Sequence, residues 1–363
     1  MEKKNTWETY SSKQLKELEK INAQYRDFLD NGKTERECID TIVNTIEKSG
    51  YRELESLIKE GAALKTGDKV YSVWMNKSIA MFQIGRKPMT DGMNILGAHI
   101  DSPRLDVKQN PLYEDGGFAY LDTHYYGGVK KYQWVTIPLA IHGVIVKKDG
   151  TCVEINIGEN EDDPVFFVSD LLIHLAQEQM EKKAAKVIEG EALDIIVGNK
   201  PLLIDKKDKK KDEKEAGKEA VKAGVLDILK ETYDIHEEDF VSAELEIVPA
   251  GKAREAGFDR SMTLAYGQDD RVCAYTSMQA MLDSDVTDRT MCCILVDKEE
   301  IGSVGATGMQ SHFFENAVAE VMNLAGEYSE LNVRRCLAHS CMLSSDVSSA
   351  FDPRKGAKYG NRR

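Results

Sequence analysis

Apolar residues recur at helical spacing in the first fifty residues of the chain. From Ser11 to Asp30 they fall three and four positions apart, and Asn31-Gly32 then supplies a stop. This pattern predicts a first helix over 11–30. A second helix is predicted from Thr34, where "TERE" has the spacing of a capping box, to near Gly50.

Short apolar runs and helical patterns alternate towards both ends of the chain. The predicted strands are "SIAMFQIG" (78–85), "MNILGAH" (93–99), "CCILV" (292–296) and "RRCLAHSCMLSSD" (334–346). The predicted helices are "DDRVCAYTSMQAML" (269–282) and "SHFFENAVAEVMNLAGEY" (311–328). Alternation of this kind predicts an α/β fold with a mostly parallel mixed sheet that is covered by helices on both faces.

The middle of the chain has a different pattern. From Asp106 to about Ala250, segments such as "WVTIPLAIHGVIVKKDG" alternate apolar and polar positions, and glycine pairs provide turns. This predicts an inserted β-rich second domain over 107–247, with 1–106 and 248–363 forming the α/β domain. Within the insert, the mixed-charge tract 205–220 is expected to be a solvated loop or a frayed helix.

Composition narrows the class of protein. The chain has 363 residues, of which 42% are hydrophobic and 30% charged, as in ordinary globular proteins. Its N-terminal stretch lacks the apolar segment of a signal peptide, and its apolar runs fall short of the roughly 20 residues of a membrane span. Seven cysteines without C-x-x-C spacing indicate reduced thiols and a cytoplasmic location. The net charge of −14 disfavours nucleic acid and anionic membranes as partners.

Polar residues gather at the ends of the predicted strands. Sites in open α/β sheets lie outside the carboxyl ends of the strands, so these residues are candidate ligands or catalysts. They are His99 and Asp101 in "GAHIDSPRLD", Asp269 and Asp270 in "GQDDR", Glu299 and Glu300 in "DKEE", and Asp346 in "SSD". One imidazole with several carboxylates and no thiolate suits zinc, cobalt or manganese.

The charge of this set favours two ions over one. Two divalent ions that share a bridging carboxylate, about 3.5–4 Å apart, would balance carboxylates that overcharge a single ion. A neighbouring carboxylate outside the ligand set could take a proton from the attacking water and pass it to the leaving amine. Adjacent residues on an extended segment point in opposite directions, so Glu299 and Glu300 can divide these tasks, one on metal and one as base. Asp101 is close enough along the chain to orient His99.

Each of these residues also has an ordinary structural interpretation. A histidine at a strand end is often a satisfied core residue, an aspartate pair before a helix often caps it, and adjacent glutamates often lie on the surface. Asp346 could cap a loop. The occurrence of all of them at strand ends of one α/β frame is what favours catalysis.

Several motifs resemble those of a known family. The segments "LGAHIDSPRLDVK", "THYYGG", "DDRVCAY", "DKEEIGSVGATG" and "SSDVSSAFDP" are similar, in type and order, to motifs of the aspartyl aminopeptidase family, which includes the vacuolar aminopeptidase I type. The resemblance extends from near the N-terminus to about Pro353. It implies a zinc exopeptidase fold, peptide substrates with a free N-terminus, and a homo-oligomer in which dimers assemble into a dodecamer. The β-rich insert would be the dimerisation domain.

The resemblance also implies a role for each candidate residue. Two metal ions per subunit, most simply zinc, would be held by His99, Asp269, Glu300 and Asp346, with Asp269 bridging both. Glu299 would be the general acid and base, and Asp101 would orient His99. His174 in "DLLIHL" would reach the active site of a partner subunit and stabilise the tetrahedral intermediate. A strained peptide would follow the bridging aspartate, at Asp269-Asp270.

One ligand of the family pattern has no counterpart here. The family has a further histidine well beyond the last aspartate, and no histidine follows Asp346 in this sequence. His339 precedes Asp346 by seven residues, roughly 23 Å along a strand, and is not expected to replace it. We expect the sequence to be an incomplete version of a longer protein, the alternative being a truncated form with an impaired site.

Two other functions stay open at this point. One is a non-catalytic oligomeric binding protein with a peptidase fold. The other is a related co-catalytic zinc amidohydrolase or carboxypeptidase. The preferred N-terminal residue, acidic or neutral, is not predicted. Arg104 and Arg271 lie near the motifs, and each could serve either a basic specificity pocket or a structural ion pair.

Overall fold

The computed structural model describes residues 4–202 and 219–349. Most of the tract 205–220 lies outside these ranges, as do residues 350–363. The described residues form two compact units. The first draws on the segments Met1–Phe28, Glu37–Asp101 and Gly267–Arg363, and the second on Leu29–Arg36 and Ser102–Tyr266. The domain boundaries predicted from the sequence lie at 106 and 248. The main segment of the second unit instead runs from Ser102 to Tyr266.

The chain folds into mixed α/β structure. Its helices are α1 Ser12–Asp30, α2 Glu35–Glu47, α3 Leu54–Glu60, α4 Gln177–Met180, α5 Ala220–Tyr233, α6 Gln268–Asp283, α7 Phe313–Leu324 and α8 Glu330–His339. Its strands are β1 Arg52–Glu53, β2 Lys69–Trp74, β3 Ser78–Gln83, β4 Asn94–His99, β5 Arg104–Asp115, β6 Phe118–Tyr126, β7 Leu139–Val146, β8 Cys152–Ile157, β9 Ile195–Gly198, β10 Ala243–Pro249, β11 Arg254–Ala256, β12 Met262–Leu264, β13 Met291–Val296 and β14 Cys341–Ser344. None of the helices in the described ranges is long and apolar enough to cross a membrane.

A six-stranded sheet organises the first unit. Its strand order is β1-β2-β3-β13-β4-β14, with parallel pairing of β1 to β2, β13 to β4 and β4 to β14. The pairs β2–β3 and β3–β13 are antiparallel. Three parallel pairs and two antiparallel ones make a mostly parallel mixed sheet, which confirms the α/β prediction.

The two innermost parallel strands end together. All six side chains of β13 are buried, as its continuous apolar sequence predicts. In the register of β4 and β13, Val296 is opposite His99. The residues that follow both strands therefore emerge at one edge of the sheet, where His99 and the "DKEE" segment meet.

The predicted strand over 334–346 is wrong in its first half. Residues up to His339 belong to helix α8, and only Cys341–Ser344 form a strand. The helix is favoured because Val333 and Cys336, three positions apart, are both buried, and because the Ser329 side chain accepts the Asn332 N–H as an N-cap. The expected separation of His339 from Asp346 assumed a strand throughout, whereas only Cys341–Ser344 between them is strand. The His339 ring lies 2.8 Å from the Thr90 carbonyl, ahead of the start of β4.

The second unit is built on an antiparallel sheet, as the alternating pattern predicts. Its strand order is β8-β7-β10-β5-β6-β9. Buried apolar side chains of the sheet, with Val221 at the start of α5, form the core of this unit. The sheet accounts for the β-rich insert of the fold class.

Candidate metal centre

A buried histidine faces three carboxylates in the first unit. His99 ends β4, and its side chain is only 3% exposed. Its Nε2 lies 3.4 Å from Asp269 Oδ1, 3.7 Å from Glu299 Oε2 and 4.0 Å from Asp346 Oδ1. These three acids come from the start of α6, the turn after β13 and the segment after β14. Residues far apart in the sequence are thus gathered around one nitrogen.

The other ring nitrogen of His99 is bonded to Asp101. His99 Nδ1 lies 3.0 Å from the Asp101 carbonyl oxygen and 3.3 Å from its Oδ1. Both are acceptors, so Nδ1 carries the proton in the neutral ring and Nε2 carries the lone pair. Among the residues that the structure describes, the buried Nε2 has no hydrogen-bond partner. A lone pair that faces only carboxylates is the arrangement a metal cation would satisfy.

The ligand set also fits a divalent metal by its spacing. One ligand atom each from His99, Asp269 and Asp346 lies within 4.8 Å of the others. Imidazole nitrogen and carboxylate oxygen are the donors that zinc and related ions take. The residues present therefore fit the metal that this donor chemistry implies.

The electrostatics of the cluster show an excess of negative charge. Burial disfavours a charged His99, but the hydrogen bond and charge of Asp101 outweigh it and raise the pKa of His99 to about 9. Burial, with the charge of Asp269, raises the pKa of Glu300 to about 7. Burial likewise raises the pKa of Asp270 to about 6. The cluster thus favours bound protons, and divalent cations would neutralise the same carboxylates in their place.

Asp101 connects three residues of this cluster. Its buried carboxylate lies beside His99 Nδ1 and also accepts the backbone N–H of Glu299 and that of Glu300, each at 3.2 Å. A single carboxylate therefore sets the orientation of the imidazole and the position of the glutamate turn. The sequence predicted the contact with His99 but gave no sign of the two amide contacts.

The two glutamates do not lie on an extended segment. Lys298 has a positive φ of 71°, and Glu299–Ile301 form a 3₁₀ turn that Gly302 closes. The inference that adjacent side chains point in opposite directions is therefore wrong in its premise. The Glu299 side chain is 46% exposed and approaches His99, whereas Glu300 is half-buried and interacts through its charge with Asp269. The division of tasks between them stays a prediction.

Asp269 and Asp270 precede the regular part of α6. Their φ and ψ values are not helical, and the peptide bond between them is cis. This bond is the one at which the family resemblance implies an unusual peptide. The Asp269 side chain is 55% exposed and reaches towards His99, whereas Asp270 is buried.

A second group of acids, in the second unit, is already neutralised. Glu35, Glu244 and Glu246 lie close enough together to hold a metal ion. However, Arg104 lies 3.3 Å from Glu35 and 3.2 Å from Glu246, and Arg36 pairs with Glu244. The group is therefore an ion-pair network. Since Arg104 is buried within it, its guanidinium is engaged in structure.

His174 lies in the second unit and outside regular helix. It is part of an exposed 3₁₀ turn, Ile173–Leu175, whose flanking apolar side chains are also exposed. Its role at a partner's active site stays a prediction.

One further residue, Arg271, makes a contact at this site that is not predictable from the sequence. Arg271 follows the aspartate pair, is 1% exposed, and donates from Nε to the Ile100 carbonyl at 3.2 Å. Like Arg104, it is buried, so its guanidinium is not offered at the surface. The sequence leaves Arg271 between a basic specificity pocket and a structural ion pair, and it does not predict the contact with Ile100.

Comparison with known proteins points to one family of metallopeptidases. The family described as aminopeptidase I zinc metalloprotease (M18) matches residues 28–363. A probable M18 family aminopeptidase 1 from Clostridium acetobutylicum is 61% identical over 352 residues, which cover 97% of this chain and 74% of the relative. The chain thus spans about three quarters of the length of that relative.

Solved structures agree with the sequence comparison. The crystal structure of an M18 family aminopeptidase from Thermotoga maritima superposes with a TM-score of 0.88 at 42% identity, covering 98% of this chain and 74% of that one. The S. cerevisiae mApe1 dodecamer is more distant, with a TM-score of 0.72 at 19% identity, covering 94% of this chain and 74% of that chain. At that identity the likeness concerns the fold alone.

Proposed function

This chain belongs to the aminopeptidase I (M18) family of zinc metalloproteases, and from that premise we propose that it removes N-terminal residues from peptides with two divalent ions held around His99. Family membership makes the protein a metal-dependent aminopeptidase. The proposal adds the number of ions, the residues that hold them, and the residue that moves the proton.

One observation carries the proposal. Among the described residues, His99 Nε2 is buried without a hydrogen-bond partner and faces the carboxylates of Asp269, Glu299 and Asp346 at 3.4–4.0 Å. Burying an unsatisfied polar atom among carboxylates is costly unless a cation is bound there. A purely structural histidine would be expected to satisfy both of its ring nitrogens.

The proposed ligands consist of one bridging carboxylate and three residues that each bind one ion. Asp269 is the proposed bridge, because its exposed side chain lies nearest to His99 Nε2 and its charge also acts on Glu300. The full set is His99, Asp269, Glu300 and Asp346, with zinc as the metal and cobalt or manganese as substitutes. When bound, two such ions would polarise the scissile carbonyl and lower the pKa of the attacking water.

Glu299 is the proposed general acid and base. Its backbone N–H donates to Asp101 at 3.2 Å, which fixes the position of its backbone. Its side chain is 46% exposed, so the carboxylate is accessible to water and substrate. It would take a proton from the water that attacks the carbonyl carbon. It would then give that proton to the amine nitrogen as the C–N bond breaks.

Assembly is the part of the proposal that concerns other subunits. We place His174 at the active site of a partner subunit in a dimer, and such dimers in a dodecamer. Support comes from the exposed apolar residues around His174, namely Leu172, Ile173 and Leu175, and from the dodecameric state of the distant S. cerevisiae structure. The cytosolic location inferred from the cysteine pattern belongs to the same proposal.

The proposal can be tested with matched substrates. The zinc-loaded protein would be given a panel of aminoacyl p-nitroanilides with acidic and neutral residues, together with their N-acetylated forms. We expect hydrolysis of free-amine substrates and none of the acetylated ones. Hydrolysis of the acetylated forms alone would favour an amidohydrolase, and no hydrolysis across the panel would contradict the proposed activity.

A further inference from the structure

Arg271 occupies a position that is unfavourable for a cation. It is 1% exposed, and it is the first residue of α6 after the non-helical pair Asp269 and Asp270. The start of a helix carries a partial positive charge, which repels a guanidinium group. Burial adds a desolvation cost. An arginine kept in such a place requires contacts that compensate for both effects.

One compensating contact goes to the centre of the H-x-D segment. Arg271 Nε donates to the carbonyl of Ile100 at 3.2 Å, and both groups are buried. Ile100 is the residue between His99 and Asp101. Its own N–H donates to the Val296 carbonyl at the end of β13, at 2.9 Å. Ile100 is therefore held on one side by β13 and on the other by α6.

Gly267 makes room for the guanidinium. This glycine has a positive φ of 78°, and a Cβ built on it would lie 2.0 Å from Arg271 Nη1. Any other residue would displace the arginine side chain, in addition to adopting a backbone conformation that side chains disfavour. The close approach explains why a glycine precedes the "QDDR" segment.

We infer that Arg271 is a positioning residue of the metal centre. It ties α6, whose first turn contains Asp269, to the backbone between His99 and Asp101, so that the two ligand-bearing segments keep a fixed separation. Through Asp101, the same contact supports the turn that carries Glu299. The inference rests on the proposed function insofar as it assigns a metal to this cluster.

The test uses variants at both ends of the contact. Arg271→Met removes the donor, Arg271→Lys keeps a charge, and Gly267→Ala crowds the guanidinium. Arg289→Met is the matched control, because Arg289 also donates to a backbone carbonyl, that of His339, away from the cluster. Gly61→Ala controls for positive φ, since Gly61 has φ +63° and nothing within 4 Å of a built Cβ.

Two readouts separate positioning from general stability. The first is the zinc dissociation constant by chelator competition, at a temperature where circular dichroism shows each variant folded. The second is amide hydrogen exchange of Ile100, Glu299 and Glu300 in metal-free protein, which needs neither metal nor turnover. We expect Arg271→Met and Gly267→Ala to weaken zinc binding by about 10–100-fold and to speed exchange at these amides. Arg271→Lys should fall between them and wild type.

The controls should leave both readouts unchanged. A folded Arg271→Met protein with wild-type zinc affinity and wild-type exchange would overturn the inference, as would equal losses in Arg289→Met. If Arg271→Met does not fold, Arg271→Lys and Gly267→Ala decide by the same criteria. If wild type binds no zinc, the proposed function fails, and the exchange data alone still support or overturn the positioning role.

Discussion

The carboxylate of Asp101 accepts the backbone N–H of Glu299 at 3.2 Å, although 198 residues separate the two in the sequence. The same carboxylate lies 3.3 Å from His99 Nδ1. The proposed metal ligand and the proposed proton carrier are therefore fixed to one buried group. A change at Asp101 should therefore disturb both residues at once.

Asp101→Asn should weaken the site without changing its volume. The amide keeps one acceptor but loses the charge, and its NH₂ group would oppose one of the donors that now meet the carboxylate. We expect zinc affinity or kcat to fall by about 10–100-fold. Chelator competition and steady-state kinetics measure the two quantities, with exposed Asp283→Asn on α6 as the control. Wild-type values for both would remove Asp101 from the account.

Glu299→Gln should separate chemistry from metal binding. The glutamine keeps the size of the side chain but cannot accept and return a proton, so kcat should fall by about 10²–10⁴-fold. Zinc content should stay near that of wild type, because Glu299 is not among the proposed ligands. Glu330→Gln, at an exposed ion pair with Arg334, is the control. Retained turnover would overturn the assignment of the base, and lost zinc would make Glu299 a ligand instead.

The strands around this site were predictable from the local pattern of apolar residues. The strands that end at His99 and Val296 are short apolar runs, and strand ends in an α/β sheet are where sites gather. The glutamate turn was not predictable, because it depends on the positive φ of Lys298 and on the amide contacts to Asp101. The sequence offers no local signal for either feature.

Two further differences have the same cause. The short apolar runs on either side of His339 and Ser340 predict one strand, whereas packing shows that Val333 and Cys336 share the buried face of a helix. The role of Arg271 was hidden because its acceptor, the Ile100 carbonyl, lies 171 residues away. Local periodicity predicts elements well, whereas contacts between distant segments decide how those elements present their side chains.

A pair of glycine substitutions tests the packing in front of β4. Gly92 and Gly50 have similar positive φ values, 91° and 88°, but a Cβ on Gly92 would lie 2.2 Å from the His339 carbonyl, whereas Gly50 has nothing within 4 Å. Gly50→Ala should therefore lower the free energy of unfolding only by the cost of placing an alanine at a positive φ. Gly92→Ala should lower the free energy of unfolding by at least about 1 kcal/mol more, because of overpacking and because its ψ of 162° places the backbone in a region that essentially only glycine adopts. Urea unfolding measures both, and equal losses would contradict the close contact.

The pH dependence of stability should reveal the contact between buried His142 and partly buried Glu159. Burial raises the pKa of Glu159, but the hydrogen bond from His142 and the charge of Lys33 outweigh it and lower the pKa below its ordinary 4.5. A carboxyl whose folded pKa is depressed stabilises the protein above its unfolded pKa and loses that contribution as pH falls through the folded value. Below pH 4.5, wild type should therefore lose stability more steeply than Glu159→Gln.

Urea unfolding of the metal-free protein across that pH range checks this expectation. Glu154→Gln, at an exposed position on β8, is the control and should follow wild type. Parallel curves for wild type and Glu159→Gln would show that the ion pair contributes nothing through its titration.

The proposed centre around His99 holds two metal ions, with Asp269 between them. Elemental analysis after dialysis against zinc and removal of loosely bound ions measures the zinc content per chain, for wild type and for Asp269→Ala in parallel. We expect about two ions per chain in wild type and a loss of bound zinc in the variant. One ion or none in wild type, or full occupancy in Asp269→Ala, would contradict it.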